Sequence, residues 1–151
     1  MRLTEVQVVF FDIGDTLARP RFAGGRLASL EPLPGVLDAL YRLRAAGFRL
    51  GIISNTGAET RENMRRALEE GGLYRFFEPE PELLIYSSVV GKTKDSPEIF
   101  RQACTAAGLG GEPEHCLYVG ENEDDRGVAV SANLRVAASV AEVAEALSRL
   151  S

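Results

Sequence analysis

The run "VQVVFFD", Val6 to Asp12, constrains this chain more than any other stretch. Its apolar, β-rich residues barely alternate with polar ones, a pattern a strand can keep only when both of its faces are covered. The run then stops on a carboxylate. A second acid, Asp15, follows three residues later with a glycine between them, so a buried strand delivers charge to its carboxyl end.

The rest of the chain alternates strand and helix patterns. "PGVLDALYRLRAAG" places Val36, Leu37, Leu40 and Leu43 on one helical face, with Pro34 near the start and Gly47 as a stop. "FRLGIISN" is a strand running into polar residues. "TGAETRENMRRALEEGG" opens with Thr56 three residues before Glu59, which predicts a capping box and a second helix. "ELLIYSS" is a third strand, and "SPEIFRQACTAAG" a helix opened by Ser96 and Pro97. "HCLYVGENEDD" predicts a strand entering an acidic loop, "RGVAVSAN" a short helix, "LRVAA" a last strand, and "SVAEVAEALSRL" a helix capped by Ser139 with Glu142. Such alternation implies an α/β fold: a parallel sheet in three Rossmann-like layers, helices on both faces. The glycine-rich segment from Ala18 to about Pro32 is expected to be a flexible loop.

At 151 residues the chain is expected to form one domain over residues 1–151. Its 17 basic and 22 acidic residues give a net charge of -5, which offers no basic field for a nucleic-acid backbone. Cys104 and Cys116 are expected to be reduced core thiols, and with no signal peptide and no long apolar span a cytoplasmic protein with no membrane partner is expected. His115 has no cysteine or histidine beside it and is expected at the surface.

In folds of this class the working site lies beyond the carboxyl ends of the strands. Asp12, Ser54, Lys94, Glu121 and Asp125 all fall near such ends. Taken alone, Asp12 also suits an acid capping the turn after it. Together, Asp12, Glu121 and Asp125, with the carbonyl of Gly14, are the oxygen donors a hard divalent cation takes, and magnesium is expected. An aspartate oxygen can also attack phosphorus, with Lys94 as point charge, the Ser54 hydroxyl, and the amides of Ile13, Gly14 and Asn55 around the phosphoryl oxygens.

On these segments the chain resembles the haloacid dehalogenase-like (HAD) superfamily of phosphohydrolases. "FFDIGDTL" is similar to its first motif, which implies a nucleophile at Asp12. "IISNT" resembles the second, with the phosphate-binding hydroxyl at Ser54. "KDSPEIF" resembles the third, with its lysine at Lys94 rather than Lys92. "LYVGENEDD" resembles the fourth, implying metal-binding acids at Glu121 and Asp125, with Asp124 facing solvent.

Two positions depart from the pattern. The family's phosphatases carry a second aspartate two residues after the nucleophile, which protonates the leaving group; here that residue is Gly14, and Asp15 is one place too far along. General acid–base help is worth about 10²–10⁴-fold. Glu121 stands where the family has Asp. The gaps from Asp12 to Ser54 and from Ser54 to Lys94 leave no room for the family's cap domain, which implies a capless form acting on a phosphorylated small molecule or phosphoprotein. Phe22 and Leu27 in the first loop would suit a homodimer contact. The expected function is a magnesium-dependent phosphomonoester or acyl-phosphate hydrolase, with a non-catalytic metal- and phosphate-binding or regulatory domain as the alternative and a dehalogenase third.

Overall fold

The computed structural model describes residues 1–150. Five parallel strands form the central sheet: β1 (Val8–Phe11), β4 (Arg49–Ser54), β5 (Leu84–Tyr86), β6 (Cys116–Val119) and β7 (Arg135–Ala137), in the order β5-β4-β1-β6-β7. β1 is central, flanked by β4 and β6, so the chain reverses its direction of travel across the sheet beside Asp12. That is the topological switch point, where side loops part and leave a crevice.

Alternation along β1 divides the core in two. Val9 and Phe11 pack with residues of α1 (Val36–Ala45), α2 (Arg61–Glu70) and α6 (Val140–Ser148). Val8 and Phe10 pack with residues of α4 (Pro97–Ala106) and α5 (Glu123–Ser131). All four β1 residues are fully buried, as a strand covered on both faces requires. Helices on both faces of a parallel sheet make the three-layer α/β arrangement. Among the described residues no obvious cap insertion interrupts it: β1 and α1 are separated by a hairpin, and β4 and β5 by α2 and short 3₁₀ turns.

The hairpin corrects the expectation of a flexible loop. Residues 18–32 form two antiparallel strands, β2 (Ala18–Ala23) and β3 (Arg26–Pro32), joined by Gly24 and Gly25 alone. Both glycines have positive φ, 58° and 76°, the backbone a tight two-residue hairpin turn demands. Pro20 is tolerated because the ribbon has no further strand beside it. Leu27 and Leu30 turn inward and are buried, while Phe22 on the opposite strand is 66% exposed.

Two helix starts also differ from expectation. α2 is capped by Thr60, whose hydroxyl accepts the Asn63 N–H, and not by Thr56. Thr56 and Glu59 form no capping box because each is taken elsewhere: Thr56 Oγ1 meets Ser88 Oγ at 2.6 Å, and Glu59 reaches the hairpin. α5 begins at Glu123, inside the expected acidic loop. Asn122 caps it, and three acids in its first turn complement the positive end of the helix dipole. Ser96, Pro97 and Ser139 start their helices as expected. Cys104 and Cys116 are both buried free thiols.

Gly51 in β4 shows how tightly the sheet meets its neighbours. A Cβ there would lie 2.6 Å from the Leu83 carbonyl oxygen and 2.7 Å from the Phe10 ring. Gly51→Ala is therefore expected to destabilise the protein by about 1–3 kcal/mol. Urea unfolding beside the wild type checks this; an unchanged midpoint would show that the strands can part without cost.

Candidate active site

The site begins where β1 ends. Asp12 donates its N–H to the Val119 carbonyl of β6, then folds its own carboxylate back so that Oδ1 accepts the Ile13 N–H at 2.8 Å. The Ile13 carbonyl in turn accepts from Thr16, Leu17 and Ala18, closing a compact turn. Asp15 sits on this turn in the left-handed region, φ 59°, and is exposed, a conformation aspartate tolerates better than most residues.

Lys94 is the centre of the site. It is 3% exposed and lies in the segment between the one-turn α3 (Ser87–Val90) and α4, not directly after a strand. Its Nζ is 3.0 Å from Asp12 Oδ2, 3.0 Å from Asp125 Oδ2 and 3.2 Å from the Tyr118 hydroxyl. An ammonium has three hydrogens, and here three acceptors converge on it. Burial, then the charges of Asp12 and Asp125, push the Tyr118 phenol well above its ordinary value, so it remains a neutral hydroxyl that can accept from Lys94. The Lys94 backbone is fixed as well, its N–H bonded to Asn55 Oδ1 at 3.0 Å.

The other expected residues distribute as follows. Ser54 is the last residue of β4 and is buried, lining a cavity together with Ile13, Gly14 and Asn55. Asp125 comes in from the first turn of α5, its N–H held by Asn122 Oδ1. Glu121 is exposed; its N–H donates to Thr16 Oγ1 at 3.2 Å, and its carboxylate makes no ion pair among the described residues. Thr16 thus closes the turn after β1 through its N–H and ties that turn to the loop after β6 through its hydroxyl. Asp124 is exposed, as expected, and so is Lys92. His115 is partly exposed, with Gln7 Nε2 2.7 Å from its Nδ1.

Among the described residues no three acidic, histidine or cysteine groups come together as a ready metal cluster. The donors that do converge nevertheless suit a hard cation. Asp12 and Asp125 meet around a single positive charge, and magnesium is held by one or two carboxylates while keeping several waters. Gly14 follows Asp12 on the same turn, and Glu121 follows β6 on the loop that leads into α5.

Sequence reasoning missed the anchor of the hairpin. Glu59 accepts two bonds from Arg26, at 3.0 and 3.1 Å, one from the Leu27 N–H at 2.7 Å and one from Asn63 Nδ2 at 2.6 Å. Asn63 and Arg66 of α2 also donate to the Leu27 carbonyl, and Arg66 to that of Ala28. The hairpin is therefore bolted to the start of α2. The signals were present: Gly-Gly between β-rich runs for the ribbon, and an acid just ahead of the true cap, Thr60.

Between hairpin and sheet lies a cavity of about 340 Å³. Its floor is Ile13, Gly14, Ser54 and Asn55, its outer wall Pro20, Phe22, Leu27 and Leu30. A Cβ on Gly14 would meet nothing within 4 Å, so the absent side chain leaves open space beside Asp12.

Comparison with known proteins places the chain in a family. The model of the haloacid dehalogenase-like hydrolases matches residues 23–133, a span that holds Ser54, Lys94, Glu121 and Asp125 and begins after Asp12. Over 100 residues the chain is 34% identical to the glyceraldehyde 3-phosphate phosphatase of Methanopyrus kandleri, covering 66% of this chain and 39% of that one. Over 105 residues it is 33% identical to the pyrophosphatase PpaX of Oceanobacillus iheyensis, covering 70% and 45%. The chain thus spans less than half the length of either relative. In fold it is similar to an uncharacterized protein from Listeria monocytogenes serotype 4b, with a TM-score of 0.77, 19% identity, and 96% and 98% of the two chains covered.

The Glu59 network gives a pH signature. Its bonds from Arg26, Leu27 and Asn63 pull the carboxyl from 4.5 down to about 2. A depressed folded value means stability that is present above 4.5 and lost as the pH falls toward 2. Glu59→Gln should therefore be less stable than the wild type near neutrality, the gap narrowing as the pH falls through that window. Denaturant unfolding at a series of pH values checks this, and a pH-independent gap would mean that the charge is not what holds the hairpin.

Proposed function

Starting from the fact that the chain belongs to the haloacid dehalogenase-like hydrolases, we propose that it is a single-domain, capless phosphatase, cytoplasmic, that transfers a phosphoryl group to Asp12 and then to water. The observation that carries this is the buried Lys94 held between Asp12 and Asp125 at 3.0 Å from each. Two relatives, a glyceraldehyde 3-phosphate phosphatase and a pyrophosphatase, support phosphate chemistry as the class.

In this reading an Asp12 oxygen forms a bond to phosphorus as the bond to the leaving-group oxygen breaks. Lys94 offsets the negative charge on Asp12 and on the phosphoryl oxygens, and the Ser54 hydroxyl with the amides of Gly14 and Asn55 orients them. Asp12, Asp125 and the Gly14 carbonyl, with Glu121 directly or through a water, would hold a magnesium ion, which would supply further neutralisation of phosphoryl charge. Water then attacks the aspartyl-phosphate, releasing inorganic phosphate and returning Asp12. With glycine at position 14 no aspartate protonates the leaving group, so it departs as its anion and good leaving groups are favoured. Substrates are phosphorylated small molecules rather than nucleic acid, given the net charge of -5.

Phosphate release from acetyl phosphate and p-nitrophenyl phosphate, with magnesium and with EDTA, tests the proposal. The wild type is expected to turn over only with the metal, and Asp12→Asn to abolish turnover. Gly14→Asp, for which the structure has space, is expected to raise kcat for alkyl phosphates by on the order of 10²-fold, the lower range of acid–base help. No turnover on these or on a wider panel, while magnesium still binds, would favour the non-catalytic alternative.

A further inference from the structure

The cavity that the Asp12 turn reaches through Ile13 and Gly14 has two unlike halves. One is the polar floor of Ser54, Asn55 and the Gly14 backbone; the other is an apolar wall of Pro20, Phe22, Leu27, Leu30 and Met64. Its charged lining residues among those described are Arg26 and Glu59, and they neutralise each other through two bonds at 3.0 and 3.1 Å. Glu59 has no carboxylate oxygen to spare, since Leu27 and Asn63 occupy it too. Lys94 is not among the lining residues and is engaged by Asp12, Asp125 and Tyr118. The chamber therefore offers a leaving group no unpaired charge of either sign.

We propose that this chamber is the leaving-group subsite, and that the chain selects phosphates whose leaving group is uncharged before transfer, apolar and of aryl size, with Phe22, Leu27 and Leu30 setting that preference. The inference rests on the phosphatase reading for its chemistry, but the subsite itself is a binding claim. Three features converge on it. A volume of about 340 Å³ suits a single ring beside a phosphoryl group and is at the small end of ligand cavities. Gly14 adds open space where a side chain would otherwise stand. The wall is fixed, because the backbone of β3 is bonded to Glu59, Asn63 and Arg66.

This fits the missing acid. An aryl or acyl oxygen leaves without being protonated, and Glu59, held ionised down to about pH 2, is no proton donor near neutrality. A second phosphate as leaving group, by contrast, would bring charge into a chamber whose lining cation among the described residues, Arg26, is already paired with Glu59. A polyol would bring hydroxyls against Leu27, Leu30 and Met64, with the desolvation cost that follows.

The test compares benzoyl phosphate with acetyl phosphate, whose leaving groups are similar in acidity, and with pyrophosphate, each with magnesium, in the wild type and Phe22→Ala. Phe22 is 66% exposed, so its truncation leaves the fold intact. The expected result is kcat/KM about 10–100-fold higher for benzoyl than for acetyl phosphate, the range apolar pocket contacts give. Phe22→Ala should shrink that ratio mainly through KM. Equal values for the two acyl phosphates, or pyrophosphate as the best substrate, would overturn the proposal.

Binding of phenylphosphonate against methylphosphonate, followed by calorimetry, separates the two claims. Tighter binding of the phenyl compound, weakened in Phe22→Ala, together with no turnover of any phosphate would uphold the subsite while removing the catalytic reading. Equal binding of the two would remove the subsite whatever the turnover.

Discussion

The site depends on one buried ammonium. Lys94 joins the end of β1 through Asp12, the start of α5 through Asp125 and the body of β6 through Tyr118. Two carboxylates at the same crevice would repel each other, and each alone would be costly to keep from water. A cation between them makes the arrangement tolerable, and removing one partner from such a buried set typically costs 3–5 kcal/mol, in order of magnitude. The loops that carry these residues come from opposite sides of the switch point, so the ion set also fixes how the two halves of the sheet meet at their carboxyl ends.

The backbone around it is arranged to serve that charge. β6 brings Tyr118 under Lys94 and Gly120 just beyond, where a Cβ would sit 2.6 Å from the Tyr118 hydroxyl. Arg126 reaches back to the Gly120 carbonyl at 2.8 Å, and Thr16 to the Glu121 N–H. Asn55 holds the Lys94 N–H. None of these contacts is chemistry in itself. Each removes a freedom that would let the ammonium or its carboxylates drift.

Much of this was legible in the sequence, because period and caps are local signals. The unbroken apolar run of Val8 to Phe11 announced a central strand, and Ser96-Pro97 and Ser139 announced helix starts, since each acts through its nearest neighbours. The hairpin was harder. Its glycine pair is an ordinary turn signal, but Pro20 and the arginines read as loop, and what makes β3 a strand is burial of Leu27 and Leu30 against residues distant in sequence. Thr56 and Glu59 had the right spacing for a cap and were claimed by partners some 30 residues away. Tyr118 was invisible as a site residue because in sequence it is one more apolar position of a buried strand. Glu121 is exposed and its N–H is bonded to Thr16 Oγ1, a contact that no local pattern announces because its partner lies 105 residues away.

The fastened hairpin has a consequence for how such a site can discriminate. Enzymes with hinged covers recognise a substrate twice, once on arrival and once on closing, and can make the second step conditional on the first. A ribbon tied to α2 through Glu59, Asn63 and Arg66 has no second step to offer. Whatever selection it performs is complete on first contact. Its sharpness is then that of a static mould, limited by shape and solvation, and water shares the chamber with any ligand that does not fill it.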